Sequence, residues 1–197
     1  MLHEILKSAT KDNHDELEVL MFVNEIMNKT LTLEQYKTLL ATNYIVHAAL
    51  ETKVHDILEP ELKEKLNIET RGKVLSLEQD LAEMNIKKED LDKLDLEFPV
   101  FKDQDNASAL GAMYVLEGAT LGGHVIHKKL KANPAFVSLN LHYYGVYDKN
   151  LMPNWITFLD VLNTSIPEED FLRAKESAVK MFSYIAEVSK IVKLSLS

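Results

Sequence analysis

Four side chains near the N-terminus have the types and spacing of a metal-complex binding site. Lys7, Lys11, His14 and Glu18 fall within an arc of about 60° on a helix. A neutral imidazole is a good transition-metal ligand, and a carboxylate one turn away can orient it through the other ring nitrogen. The two lysines can pair with anionic groups of a ligand. The alternative is a solvated helix face with pairs such as Lys11–Asp15.

A glycine-rich run later in the chain is the second feature. Four of the six glycines lie within residues 111–123, and each interior helical glycine costs about 1 kcal/mol relative to alanine. Gly111, Gly118 and Gly122 fall within about 40° on a helix and form a bare groove. The groove can admit a flat ligand, or allow a bend at Gly122–Gly123. Small-residue packing against another helix is an equal alternative.

Other chemistries find less support. His124 and His127 lie roughly opposite the glycine groove on a continuous helix, so we interpret them as surface or hydrogen-bonded histidines. No Glu is followed by His at the third position, as a di-iron carboxylate bundle requires. The sequence has no cysteine, no Gly-x-Ser-x-Gly elbow and no phosphate loop or dinucleotide fingerprint.

The length, net charge and apolar pattern of the chain limit the classes of function it can have. A chain of 197 residues suits one domain, 1–197, and a net charge of −9 argues against nucleic-acid or anionic-membrane partners. The first twenty residues alternate charged with apolar residues, unlike a signal peptide. No stretch of 18 apolar residues occurs, so we expect no membrane span and a cytoplasmic protein.

Helices must position both features. The scarcity of Gly and Pro and the 3.6-residue apolar period predict an all-α bundle without strands. Thr32 and Gln35 form a capping box that opens a long helix ending before Pro60. Ser165 is expected to cap the last helix, which runs to about Lys193. The other predicted helices are Leu2–Leu20, Met21–Asn28, Glu61–Leu66, Glu69–Met84, Ala107–Lys131 and Trp155–Leu162, with a helical turn and a loop in Asn85–Asn106.

The N-terminal feature resembles the heme oxygenase family. Leu6–His14 looks like that family's L-K-x-A-T-x-x-x-H segment, and Tyr36–Glu51 is similar to its second long helix. The resemblance implies that His14 is the axial iron ligand of haem and that Glu18 is its partner. It also implies that Lys7 and Lys11 lie near the haem propionates.

The glycine run resembles the family's distal helix. Tyr114–Gly123 looks like the Y-V-L-E-G-(S/A)-x-L-G-G form of bacterial members, some of them associated with bacteriophytochromes. The turn Tyr143–Gly145, followed by Trp155 and Phe158, fits the same branch. The resemblance spans nearly the whole chain and implies a single-domain helical bundle of the heme oxygenase type. It places Gly118, Gly122 and Gly123 against haem and assigns catalytic roles to Gly118, Gly122 and Thr120.

The implied activity is oxidative cleavage of haem to biliverdin, with release of carbon monoxide and ferrous iron. Haem is then both substrate and cofactor, molecular oxygen is the co-substrate, and an external donor such as a ferredoxin or reductase supplies electrons. Lys128, Lys129 and Lys131 could dock an acidic donor. Stabilisation of a helix C-terminus is the favoured explanation of these lysines.

Two departures from the family pattern leave alternatives open. Ala119 stands where mammalian-type members have an aspartate that organises pocket water. The basic residues that hold a propionate have no counterpart near Trp155–Leu162, and Lys149 is nearby but unaligned. A non-catalytic haem carrier or sensor is therefore a second hypothesis. A third is the wider helical fold shared with thiaminase-like proteins, without haem.

Overall fold

A computed structural model describes residues 1–94, 96, 97, 99 and 104–195. These residues form ten α-helices and three 3₁₀ helices and no β-strand, which confirms the all-α prediction. The α-helices are α1 Leu2–Ala9, α2 Lys11–Leu20, α3 Val23–Met27, α4 Leu33–Ile57, α5 Pro60–Leu66, α6 Val74–Glu83, α7 Lys88–Leu91, α8 Asn106–Lys131, α9 Leu151–Thr164 and α10 Phe171–Ser195. The 3₁₀ helices are Ile68–Thr70, Asp148–Asn150 and Glu168–Asp170.

The long helix α4 begins and ends where its local sequence requires. The Thr32 hydroxyl accepts from the backbone N–H of Gln35 at 3.1 Å, and the Gln35 side chain accepts from the Thr32 N–H at 2.9 Å. This is the predicted capping box, which satisfies two N–H groups that the helix start leaves unpaired. Glu59 is extended (φ −62°, ψ 151°), the conformation favoured before Pro60, so the helix cannot continue.

Helices α8 and α10 pack along each other at the centre of the bundle. The Asp105 side chain caps α8 by accepting from the N–H of Ser108 at 2.8 Å. The Ser177 hydroxyl of α10 donates to the Ser108 carbonyl at 2.6 Å and joins the two helices near this end. Because α10 also packs against α1, α2 and α4, it ties the N-terminal helices to α8.

The buried apolar side chains form one cluster that draws on helices from both halves of the chain. Leu2 and Leu6 of α1 are fully buried in it. In α2, by contrast, which the structure describes in full, no side chain is buried. That helix lies on the outside of the core and keeps most of its polar face uncovered.

The first predicted helix, Leu2–Leu20, is wrong, because it is two helices. The backbone of Thr10 leaves helical geometry (φ −103°, ψ 5°) between α1 and α2. The Thr10 hydroxyl donates to the Leu6 carbonyl at 2.8 Å, and such a bond to the preceding turn often bends a helix. The N–H of His14 still donates to the Thr10 carbonyl, so hydrogen bonding continues across the bend.

The prediction of one helix over Glu69–Met84 is also wrong. The 3₁₀ turn Ile68–Thr70 is followed by three non-helical residues before α6 begins. Arg71 and Lys73 in this gap are each 1% exposed, and their charged groups bind Glu117 on α8. A buried ionic cluster therefore overrides the local helical period.

Near the C-terminus, Ser165 does not cap the last helix. It is the residue at which α9 ends, and the 3₁₀ turn Glu168–Asp170 precedes α10. Helix α9 begins at Leu151 and is longer than the predicted Trp155–Leu162.

Other predicted helices are present. Helix α3 lies within Met21–Asn28, α5 covers Glu61–Leu66, and α8 matches Ala107–Lys131 to within one residue. The segment Asn85–Asn106 contains the short helix α7. Part of the loop predicted after it, residues 95, 98 and 100–103, lies outside the described residues.

A helix that crosses a bilayer needs about 20 predominantly apolar residues. Within the ranges described above, no helix has the length and hydropathy to do so.

Candidate functional site

The imidazole of His14 projects from α2 with 59% of its side chain exposed. Its Nδ1 atom lies 3.7 Å from a carboxylate oxygen of Glu18. This distance allows charge attraction but exceeds a hydrogen bond. The ring also meets Phe182 of α10 edge to face, with centroids 6.1 Å apart. With Nδ1 on the Glu18 side, the other nitrogen, Nε2, is the one available to an added ligand.

We call Lys7, Lys11, His14 and Glu18 the stripe. Its two lysines differ in their ion pairs. Lys11 Nζ lies 2.7 Å from the Asp15 carboxylate, the pair expected for a solvated helix face. Such exposed pairs contribute about 0.2–1 kcal/mol, so Lys11 can exchange Asp15 for another anion at low cost. Lys7 lies on α1 and is exposed, and no ion pair involves it in the part of the chain that the structure describes.

The glycines at the middle of α8 differ in their surroundings. Apart from the adjacent backbone of α8 itself, no atom of the described residues lies within 4 Å of a Cβ built on Gly122, so this turn of the helix is open. A Cβ on Gly118 would lie 3.7 Å from the Trp155 ring, and one on Gly123 would lie 3.5 Å from the Tyr144 ring. Both are ordinary van der Waals distances. Aromatic rings therefore flank an uncovered turn of backbone.

Gly111 does not share this groove, contrary to the predicted arc. A Cβ there would lie 2.1 Å from the carbonyl oxygen of Ala174 and 2.8 Å from its carbonyl carbon. The backbones of α8 and α10 are thus in direct contact. Small-residue helix packing, the alternative considered from the sequence, accounts for Gly111, and the open part of α8 lies further along, at Gly122.

Thr120 lies about 160° around α8 from Gly122. It lines a small cavity between α8 and the segment Tyr143–Val146. Its hydroxyl donates to the Glu117 carbonyl at 2.6 Å, so its proton is used within α8 while its oxygen can still accept. We call Gly118–Gly123 the glycine turn. Thr120 lies on the side of this turn opposite to the open face of Gly122.

His124 lines the same rear cavity, and both His124 and His127 are half-buried. Burial lowers the pKa of His127. Among the described residues, the group of His and carboxylate side chains close enough to hold a metal ion is His14, Asp15 and Glu18. The two later histidines therefore belong to a different surface from His14.

A charged cluster is buried directly behind the glycine turn. Glu117 is 2% exposed, and Lys73 donates to it at 2.7 Å while Arg71 donates to its other oxygen. The Tyr147 hydroxyl accepts from Lys73 at 3.1 Å and donates to Glu117 at 3.0 Å. Burial favours a higher pKa for Glu117, but Lys73 and Arg71 outweigh it and hold the pKa below its ordinary value. Removing one partner of such a pair costs about 3–5 kcal/mol.

A second buried network continues from the same cluster. His47 Nδ1 lies 2.7 Å from the Glu51 carboxylate, which also accepts from the backbone N–H of Lys73 at 2.9 Å. Burial lowers the pKa of His47 despite the pull of Glu51. In the neutral ring Nδ1 therefore carries the proton and Nε2 accepts. The Tyr143 hydroxyl lies 3.3 Å from that Nε2 and 3.0 Å from Asn43 Oδ1, and its one proton serves one of them at a time.

The sequence contains one signal for these networks. Glu117 is the single charged residue in the run Met113–Gly118, and a charge among buried helix positions requires a buried partner. Arg71 and Lys73 could not be identified as those partners, because they precede Glu117 by 46 and 44 residues.

Trp155 is a further contact that sequence reasoning did not place. Its ring stacks on Phe158 with centroids 5.7 Å apart and lies near Tyr114 and His3, at 6.1 and 6.0 Å. Three helices, α1, α8 and α9, thus build an aromatic wall beside Gly118. The sequence of α9 has no lysine or arginine, so this helix brings no cation to the wall.

Helix α10 supports both features. It contacts α8 at Ala174 and α2 at Phe182, two positions about 12 Å apart along its axis. His14 and the glycine turn therefore lie on helices that share one neighbour.

Comparisons with known proteins identify the family and the fold of this chain. A sequence profile of the heme oxygenase family matches residues 1–190. The heme oxygenase from Neisseria meningitidis, solved with NO and CO bound, is similar in fold: the TM-score is 0.76 and the identity 20%, over 98% of this chain and 92% of that one. No curated protein sequence matches the chain. Because the profile covers nearly its whole length, the chain belongs to the heme oxygenase family, the enzymes that degrade haem oxidatively.

Proposed function

We propose that this chain binds haem in a cleft between α2 and α8 and cleaves it to biliverdin, releasing carbon monoxide and ferrous iron. One observation carries the proposal: both helices pack on α10, yet each leaves its motif uncovered. His14 is 59% exposed, and apart from the adjacent backbone of α8 no described atom lies within 4 Å of a Cβ on Gly122. A planar iron macrocycle needs an imidazole on one face and space on the other.

The residues of α2 fit the proximal side of haem. His14 would hold the haem iron through Nε2, and Glu18 would accept from Nδ1–H once their 3.7 Å separation closes. That hydrogen bond orients the ring and increases its basicity. Lys7 and Lys11 would pair with the propionates. Lys7 would bind a propionate at lower cost than Lys11, because Lys11 must first break its ion pair with Asp15.

The glycine turn of α8 fits the distal side. Gly122 would let the helix backbone approach the ring plane, with Gly118 one turn earlier on the same face. Gly123, in contrast, is buried against Tyr144 and lines the rear cavity. Close backbone at Gly118 and Gly122 would exclude bulk water from a bound ring. Val125, which is 47% exposed one turn further along α8, adds an apolar surface.

When haem is bound, the redox chemistry belongs to the iron macrocycle, molecular oxygen and an external electron donor. The chain holds the ring and controls water and protons. With Ala119 on the distal helix, no carboxylate at that position can order water. We assign this role to backbone carbonyl groups at Gly118 and Gly122. Thr120 faces the rear cavity, so its hydroxyl oxygen could accept from water only there.

The donor proposed from the sequence is a ferredoxin or a reductase. Lys128, Lys129 and Lys131 all lie in the last turn of α8, where they also stabilise the helix C-terminus. The motif Tyr114–Gly123 supports placement in the bacteriophytochrome-associated branch of the family.

A haem carrier or sensor is the second candidate, and Ala119 is the observation that favours it. The decisive experiment titrates the purified protein with haemin and then supplies reductant in air. Loss of the Soret band and appearance of biliverdin and carbon monoxide support turnover, whereas a persistent oxygen complex supports the carrier. Absence of any Soret shift on titration would exclude both.

A further inference from the structure

The glycine turn of α8 has few side chains of its own to hold it in place. Three of the six residues in Gly118–Gly123 are glycine and a fourth is Ala119. Helix α8 contacts α10 closely at Gly111, two turns earlier, whereas Gly122 has no described atom near its Cβ position. The position of this turn must therefore be set from its two ends and from behind.

The first end is held by Glu117. Its two carboxylate oxygens are bound by Arg71 and Lys73, and Tyr147 bridges Lys73 and Glu117. Arg71 is itself tied down, because Nε donates to the Leu66 carbonyl at 2.7 Å. An ionic contact fixed on both sides restrains sliding and rotation of α8 at the residue immediately before Gly118.

The other end is held by Tyr144, whose ring lies 3.5 Å from the Cβ position of Gly123. The chain leading to Tyr144 is held by Asp80, which accepts from the backbone N–H of His142 at 2.8 Å and of Tyr143 at 2.9 Å. Asp80 is 1% exposed, so these bonds are shielded from water.

We propose that Glu117 and Tyr144 are positioning residues, which hold the glycine turn against the haem cleft and thereby decide which edge of the ring is attacked. The inference rests on the proposed function. Neither residue lies on the open face of Gly122, and both act through the backbone of α8. A displacement of the distal backbone by a fraction of an ångström changes which meso carbon is nearest the reacting oxygen.

The test compares Glu117→Gln, Tyr147→Phe and Tyr144→Leu with the wild-type protein. Glu117→Gln keeps the side-chain shape and removes its charge, and Tyr147→Phe removes only the bridging hydroxyl. Tyr144→Leu removes the ring that lies against Gly123. We expect the ratio of biliverdin isomers to change by at least about threefold, a difference of about 0.65 kcal/mol between competing barriers. We also expect a shifted C–O stretching frequency in the ferrous carbon monoxide complex of each variant, with a haem Kd close to that of wild type.

The control is Leu91→Ala, a buried core residue on α7, a helix that carries none of the residues holding either end of the turn. It should lower the melting temperature and leave the isomer ratio and the C–O stretch unchanged. The proposal is overturned if the folded variants all match wild type, or if Leu91→Ala shifts the ratio equally. If Glu117→Gln does not fold, Tyr147→Phe and Tyr144→Leu decide. If wild-type protein binds haem without making biliverdin, the proposed function fails while the C–O stretch still tests the positioning.

Discussion

Gly111 of α8 and Ala174 of α10 are in backbone contact, with 2.1 Å between the position of a Cβ on Gly111 and the Ala174 carbonyl oxygen. Even one methyl group would force the two central helices apart. The contact explains why this glycine is needed although it lies outside the open face of α8. It also separates glycines required for folding from those proposed to face haem.

Gly111→Ala should therefore destabilise the protein, by about 1–3 kcal/mol or more, since overpacked cores must shift backbone. Urea denaturation measures the change. Gly122→Ala is the matched control, because its Cβ meets no described atom and alanine favours a helix by about 1 kcal/mol. Equal or greater stability of Gly111→Ala than of wild type would contradict the contact.

Gly122→Leu should keep the fold and prevent productive haem binding. Leucine is a better helix former than glycine, so the free energy of unfolding should not fall, while the side chain occupies the open turn. Haemin titration and biliverdin formation measure the effect. A variant that degrades haem at the normal rate would show that this face of α8 does not contact the ring.

His14→Ala should remove the axial ligand and leave the fold intact, because the side chain is 59% exposed. Surface changes of this kind alter stability by about 0.5 kcal/mol or less. The haem spectrum and turnover should change, and added imidazole should partly restore both. Asp12→Ala, an exposed residue of α2 outside the Lys11–Asp15 pair, is the control. An unchanged spectrum in His14→Ala would refute the assignment.

The two lysines of the stripe should contribute unequally to haem affinity. Lys7→Gln should raise the haem Kd more than Lys11→Gln, because Lys11 loses its pair with Asp15 on binding. The difference should be at most about fivefold, which corresponds to a surface ion pair of about 1 kcal/mol. Titrations at low and high salt measure it. If Lys11→Gln weakens binding more, the stripe contacts haem in another orientation.

Stability should decrease as the pH falls below 6.5. Burial lowers the pKa of His47 in the folded protein, while the unfolded chain keeps a value near 6.5. Below that pH the unfolded chain binds more protons, so the free energy of unfolding falls until the folded-state pKa is reached. His55, whose pKa is also lowered by burial, acts in the same direction.

His47→Gln should therefore reduce the slope of unfolding free energy against pH between about 6.5 and 5. Glutamine retains a donor for Glu51 and an acceptor for Tyr143. Urea denaturation at several pH values gives the slope, and His55→Gln measures the separate contribution of the second histidine. A slope unchanged by His47→Gln would mean that the pKa of His47 is the same in the folded and unfolded states.

Local sequence was sufficient for much of the fold. The capping box at Thr32, the end of α4 before Pro60 and the extent of α8 all follow from neighbouring residues, and each agrees with the structure. The two wrong helix predictions, Leu2–Leu20 and Glu69–Met84, have the same cause, because each helix is interrupted by a side-chain contact that the helical period does not encode. The bend at Thr10 depends on a side-chain bond, and the gap before α6 depends on the attraction of Arg71 and Lys73 to a distant carboxylate.

By itself the sequence determined the all-α class, the family and the residues of the two motifs, because helical period, caps and motif spacing are encoded within a few turns. Only the tertiary structure decided that Gly111 packs on α10 while Gly122 is open, and that Thr120 faces a rear cavity. It alone revealed the partners of Glu117. Burial and contact between helices depend on how distant segments pack. The angular position of a residue around its helix gives the direction of its side chain, but it does not say which neighbour lies in that direction.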